Sequence, residues 1–151
     1  MTSPILRFAA PAIAALALSA CNSQASGGAN IPGDAGSNAP YQGIAPDEEL
    51  HFTGTEPFWG GQVRETQLIY TTPENQDGQA ITVERFAGRG GIAFSGLLDG
   101  STFDLVVTEG QCSDGMSDRT YPFTVTLHVG AEDRRGCAWS EQHPFSGSES
   151  P

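Results

Sequence analysis

The sequence predicts an all-β fold: a small antiparallel meander barrel of about seven or eight strands, with a β-sandwich as the alternative architecture. Three observations point there. Apolar and polar residues alternate in short runs, turn-forming residues separate those runs, and no stretch of about ten residues carries helical apolar spacing. A closed sheet also leaves no exposed edge, which an open sheet of this size would have to protect.

The elements follow in order. Residues 59–64 form a strand, a tight turn falls at Glu65 and Thr66, and residues 67–71 return. Residues 81–84 and 92–95 alternate briefly. Residues 102–109 alternate for longer, with Phe103, Leu105 and Val107 inward and Asp104, Val106 and Thr108 outward. The clearest stretch is 121–129, where Phe123, Val125, Leu127 and Val129 face one way and Thr124, Thr126 and His128 the other. Residues 135–140 make the last strand. Turn signals lie at 73–78, 88–91 and 99–100.

Ahead of this domain stands an export leader. The amino terminus and Arg7 give a short positive region, residues 8–18 are almost uninterruptedly apolar, and Leu18-Ser19-Ala20-Cys21 resembles a lipobox. Eleven apolar residues are too few to span a bilayer, which takes about 20. The reading is therefore a lipoprotein signal over 1–20, with lipidation of Cys21 as the membrane anchor. An ordinary cleaved signal with an incidental cysteine is the competing reading. Asn22 in place of Asp resembles the default outer-membrane destination, facing the periplasm. Residues 21–46 are rich in Gly, Ser, Ala, Asn and Pro and read as the lipidated cysteine and a flexible tether. Residues 143–151 read as a disordered tail, leaving a single domain at 47–142, about 95 residues long.

Charge narrows the partners. Once the leader is removed the chain keeps 6 arginines and no lysine against 18 acidic residues, a formal charge of −12. That balance argues against nucleic acid and against electrostatic adhesion to anionic lipid. With Cys21 acylated, Cys112 and Cys137 remain as an even pair in an oxidising compartment, which predicts a disulfide. A redox or metal-binding pair is disfavoured, because the two stand 25 positions apart with no CxxC spacing and no nearby histidine.

Two motifs rise above the background: Gly54-Thr55-Glu56-Pro57-Phe58-Trp59, and the run from Cys112 to Pro122, CSDGMSDRTYP. Together they resemble an uncharacterised family of bacterial envelope lipoproteins that pairs a GTEPFW-type segment with a CSDGMSDRxYP-type segment. The likeness spans roughly residues 52–137. In outline the family is distantly similar to the META/HslJ group and to membrane-bound inhibitors of C-type lysozyme. The inhibitors' Ser-Gly-x-x-Tyr loop is absent from the sequence, so inhibitory activity is not implied. The resemblance implies an envelope address and a small β-rich domain, but no reaction.

Both motifs have structural readings. Pro57 fixes φ and holds Glu56 extended. Phe58 and Trp59 close a barrel end, with the indole N–H seeking an acceptor. Ser113, Asp114, Gly115, Ser117 and Asp118 wrap local turns, Met116 fills the barrel end, and Asp118 or Glu56 pairs with Arg119. The functional reading places Glu56, Trp59, Asp114, Asp118, Arg119 and Tyr121 around one mouth of the barrel. Such a set suits a cell-wall fragment or an envelope protein. A role as a hydrolase inhibitor, and a carboxylate hydrolase using Glu56 with Asp114 or Asp118, are the alternatives. No catalytic residue, cofactor or metal is assigned. Calcium at Asp114 and Asp118 would lack the dense oxygen ligands of a loop site, and His51, His128 and His143 are scattered along the chain.

Overall fold

The computed structural model describes residues 39–148. The leader at 1–20, the expected lipidation of Cys21, residues 22–38 and residues 149–151 lie outside the described residues. Eight strands follow one another: β1 Leu50–Thr55, β2 Phe58–Arg64, β3 Gln67–Thr72, β4 Asn75–Ala87, β5 Gly91–Leu98, β6 Ser101–Cys112, β7 Tyr121–Val129 and β8 Glu132–Trp139. They pair antiparallel in sequence order, and β8 returns to β1 through His51↔Trp139, Phe52↔Ala138 and Thr53↔Cys137. The fold is a closed eight-stranded meander barrel rather than a sandwich.

Alternation builds the interior. Phe103, Leu105 and Val107 on β6 and Phe123, Val125 and Leu127 on β7 are buried, and Leu105 faces Leu127 across the ladder. Leu50, Phe52, Val63, Leu68, Ile81, Val83, Ile92 and Phe94 complete the ring of side chains. A barrel of this size is just wide enough for such side chains to fill it.

Two strands depart from the sequence expectation. β1 has only two large inward residues, Leu50 and Phe52, so its short pattern is decided by pairing with β2 on one side and β8 on the other. The turn expected over 73–78 shrinks to Pro73 and Glu74, because β4 already begins at Asn75. Residues 75–77 are exposed, so solvent on both faces removes the alternation that would have marked them as strand. Gly78 supplies a φ of 83° and donates its N–H to Asn75 Oδ1 at 3.2 Å.

The folded unit also exceeds the expected limits of 47 and 142. Ile44, expected in the tether, is buried in the core. Tyr41 donates its N–H to Gly88 O at 2.7 Å and its hydroxyl to Glu109 Oε1 at 2.6 Å, and Arg85 donates to Ile44 O at 2.8 Å. At the other terminus Thr120 and Ser146 exchange backbone bonds, and Phe145 packs on Tyr121 and Trp139. One or two large side chains suffice to dock a polar segment when a complementary surface exists, and composition cannot report that surface.

The two docked segments meet at Glu48. Its buried carboxylate accepts bonds from Ser140 Oγ and from His143 Nδ1 (2.8 Å) on one oxygen, and from the Ala45 N–H (3.1 Å) on the other. Burial raises the Glu48 pKa, but the bonds from Ser140, His143 and Ala45 and the charge on His143 outweigh it and leave the carboxyl below its ordinary 4.5. A lowered folded pKa contributes stability above the unfolded value that is lost as pH falls through the folded one. Glu48→Ala, which removes the acceptor shared by Ser140 Oγ, His143 Nδ1 and the Ala45 N–H, is expected to cost about 1–3 kcal/mol. Glu48→Gln is expected to flatten the dependence of thermal midpoint on pH below about 4.5. Melting curves of the variants between neutral and acid pH check both; a wild-type acid slope in Glu48→Gln would contradict them.

Candidate functional site

The GTEPFW segment forms the β1–β2 hairpin. Its two-residue turn, Glu56 and a cis-bonded Pro57, is of the kind that places cis proline third of four. Strand alternation then turns Phe58 outward, 54 % exposed, and Trp59 inward, 4 % exposed. The indole spans two bare backbone positions. A Cβ at Gly54 would stand 2.2 Å from Trp59 Nε1, and one at Gly136 would stand 3.1 Å from its Cζ2. Phe52 and Tyr70 pack beside it, with ring centres 5.9 and 6.4 Å away. The Nε1–H has no acceptor among the described residues.

The second motif is a strap over the outer wall. The disulfide Cys112–Cys137, with Cα atoms 5.5 Å apart, fastens the end of β6 to β8. Asp114 then organises the loop, accepting bonds from the N–H groups of Met116 and Ser117 (both 2.9 Å), from Ser117 Oγ (2.8 Å) and from the Tyr121 hydroxyl (3.1 Å). Gly115 takes a φ of 72° at the tip, with no neighbour within 4 Å of a Cβ there. Burial opposes ionisation of Asp114, but its hydrogen bonds prevail and hold the pKa at about 2. Tyr121 is buried outside the barrel, between the rings of Trp139 and Phe145. The Arg119 guanidinium lies over Phe145, 4.3 Å from the ring centre.

The six expected residues therefore do not line one mouth. Trp59 is inside the barrel, Tyr121 and Arg119 belong to the outer cluster, and Asp118 is exposed beside it. Of the six, Glu56 and Asp114 line a common concavity. Met116, expected to fill the barrel end, is 59 % exposed. The reason is the bulge between Glu109 and Cys112, which carries the loop off the ladder and onto the outer wall.

What the fold assembles instead is a pair of adjoining concavities at the β1–β2 rim. One, of about 320 Å³, is lined by Thr53, Gly54, Phe58, Trp59, Gly60, Thr71, Thr72, Pro73 and Gln76. The other, of about 770 Å³, lies between Glu56, Pro57, Phe58 and Pro73 on one side and Asp114, Gly115 and Met116 on the other. Phe58 and Pro73 are common to both. Sequence reasoning missed Phe58, Thr71 and Gln76. The outward direction of Phe58 was available from the inward Trp59, but the approach of the strap to this hairpin had no local signal.

The Glu48, Ser140 and His143 cluster has the residue types of a nucleophile, base and acid, but not their arrangement. Ser140 is 1 % exposed, and both Ser140 and His143 bond the same carboxylate oxygen. Among the described residues no group of three or more His, Cys, Asp or Glu side chains is placed to hold a metal ion. No protein-family model, curated protein or solved structure matches the chain.

Asp114→Asn keeps the shape but loses acceptor strength at one oxygen, and is expected to cost about 1–2 kcal/mol and to loosen residues 113–118. Because the Asp114 pKa falls from 3.8 to about 2 on folding, the strap's extra stability is present above pH 3.8 and disappears as pH drops toward 2. Amide exchange of Met116 and Ser117 across that range is the measurement. Protection that survives unchanged at pH 2 would refute the assignment. Replacing both Cys112 and Cys137 by Ala is expected to remove on the order of 3 kcal/mol, the entropy of a ring of about 26 residues; denaturant midpoints read it.

Proposed function

We propose that this protein is a lipid-anchored envelope lipoprotein, held through acylated Cys21 in the outer membrane and facing the periplasm, and that it acts as a non-enzymatic binding module. The address rests on the leader and the Leu18-Ser19-Ala20-Cys21 motif. The resemblance to envelope lipoproteins carrying the same two motifs agrees with it. One observation carries the binding role: two adjoining concavities meet at a half-exposed Phe58, an aromatic ring turned outward beside exposed Met116. Their volumes fall within the roughly 300–1,000 Å³ of small-ligand sites, in which a few polar groups fix orientation within an apolar lining. The stiff elements on either side, a proline turn and a disulfide-pinned strap, keep that rim preorganised.

Cys21→Ser is expected to abolish incorporation of a fatty-acid label and to release the protein from membranes into the soluble fraction. An unmodified Cys21 by mass spectrometry in the wild-type protein would overturn the anchor. For the binding role, a photo-crosslinking residue at position 116 in intact envelopes should yield an adduct. The same residue at position 86, where Phe86 is exposed on β4, should not. Indistinguishable patterns at the two positions would count against the rim.

A further inference from the structure

The larger rim concavity carries charge of one sign beside a strip of apolar surface. Glu56 and Asp114 line it, no cation does, and the rest of the lining is mostly Pro57, Phe58, Pro73 and Met116. Phe58 and Met116 are both exposed large apolar side chains. The two carboxylates differ in what they have left to give. Both Asp114 oxygens are taken by donors of the strap and Tyr121, so Asp114 contributes charge but is not free to bond. Glu56 is exposed at the hairpin turn, and among the described residues no hydrogen bond or ion pair engages its carboxylate. Arg135 shares a separate small cleft with Asp114, between the strap and β8, and does not line this one. The adjoining smaller concavity has no ionisable lining side chain. The Thr71 hydroxyl and the Gln76 carboxamide line it over the bare backbone of Gly60, without hydrogen-bond partners among the described residues.

A ligand that fills both must match this division. Covering Glu56 strips water from an unpaired carboxylate, a cost that a cation offsets and an anion aggravates. The apolar walls call for a long aliphatic stem behind that cation, because basic side chains lay their methylene groups along apolar surface and keep the charge at the tip. Phe58 favours a guanidinium, which stacks on an aromatic face while its planar fork bonds a carboxylate. The uncharged concavity suits peptide groups, since a hydroxyl and a carboxamide each pair with a backbone N–H or C=O. We propose that the rim docks an extended, arginine-containing segment of a protein partner. The guanidinium pairs with Glu56 over Phe58, its stem lies against Met116 and Pro73, and the neighbouring peptide groups cross Gly60 to bond Thr71 and Gln76. The charge of the mature chain agrees: 18 acidic residues against 6 arginines and no lysine draw in a basic partner. This inference rests on the binding role of the same rim and names the chemistry of its partner.

The test uses the full mature chain, its anchor retained in neutral detergent micelles. Met116 is the only methionine besides Met1, so a ¹³C-methyl label on it reports the rim directly. The probe is a blocked peptide, Gly-Ser-Leu-Arg-Ser-Gly, compared with the same peptide carrying citrulline, the uncharged isostere of arginine. The arginine peptide is expected to shift the Met116 methyl resonance, and the citrulline peptide to bind about fivefold or more weakly. Glu56→Gln and Phe58→Ala, both exposed changes, should each weaken the arginine peptide about threefold or more while their thermal midpoints stay at the wild-type value. Glu84→Gln, which alters an exposed carboxylate on β4 that lines neither concavity, should leave the affinity unchanged. An unmoved Met116 methyl at about 10 mM peptide, equal binding of the two peptides, or equal losses in Glu56→Gln and Glu84→Gln would each overturn the proposal. N-acetyl-arginine amide binding as tightly as the peptide would do so too, because the occupant would then be a small cation. If the peptide fails while the cross-link from position 116 persists, the partner chemistry is wrong and the rim role stands. If both fail, the rim role falls with it.

Discussion

The return of β8 to β1 is the constraint on which the rest of this molecule depends. Three residue pairs make the seam, His51↔Trp139, Phe52↔Ala138 and Thr53↔Cys137, and nearly every special feature of the chain lies against it. Glu48, two residues before the start of β1, holds Ser140, which immediately follows β8. Cys137 sits in the seam and carries the strap through Cys112. The Trp59 indole crosses from β2 over Gly54 on β1 to Gly136 on β8. A two-sided sheet would leave edge groups unpaired at this place; the seam pairs them, and the clamp, the bridge and the indole each hold it from a different side.

This arrangement explains why the two dense motifs have unlike fates. In the first, period-two alternation sends neighbours in opposite directions, so Trp59 becomes packing and Phe58 becomes surface. In the second, Asp114 gathers the loop's own donors through four hydrogen bonds, and Tyr121 and Arg119 pack with Phe145. Charged and aromatic residues that look like a ligand-binding set are thus occupied in fastening a strap. Its contribution to a site is positional, because it carries Met116 to the opposite side of a concavity from Phe58.

Rigidity and accessibility are divided along the barrel. The end near Tyr41, Ile44 and Glu48 is closed by segments that pack from both termini. The β1–β2 rim is open, with Phe58 and Met116 exposed and a buried donor lacking an acceptor among the described residues. A closed end and an open end made of the same eight strands is an economical way to present a small site on a stable support.

The sequence alone determined the fold class and most of the strands, because burial on one face of a strand writes itself as a period of two. Residues 102–109 and Tyr121–Val129 were legible for that reason. It also determined the Cys112–Cys137 bridge, by counting. The tertiary structure decided whatever depends on which surfaces meet. Barrel closure over a sandwich, the docking of Tyr41, Ile44 and Phe145, the Glu48 clamp across more than ninety residues, and the meeting of Phe58 with Met116 leave no periodic trace. Such contacts need only one or two side chains each, placed by the packing of elements far apart in the chain, and local pattern carries no information about that distance.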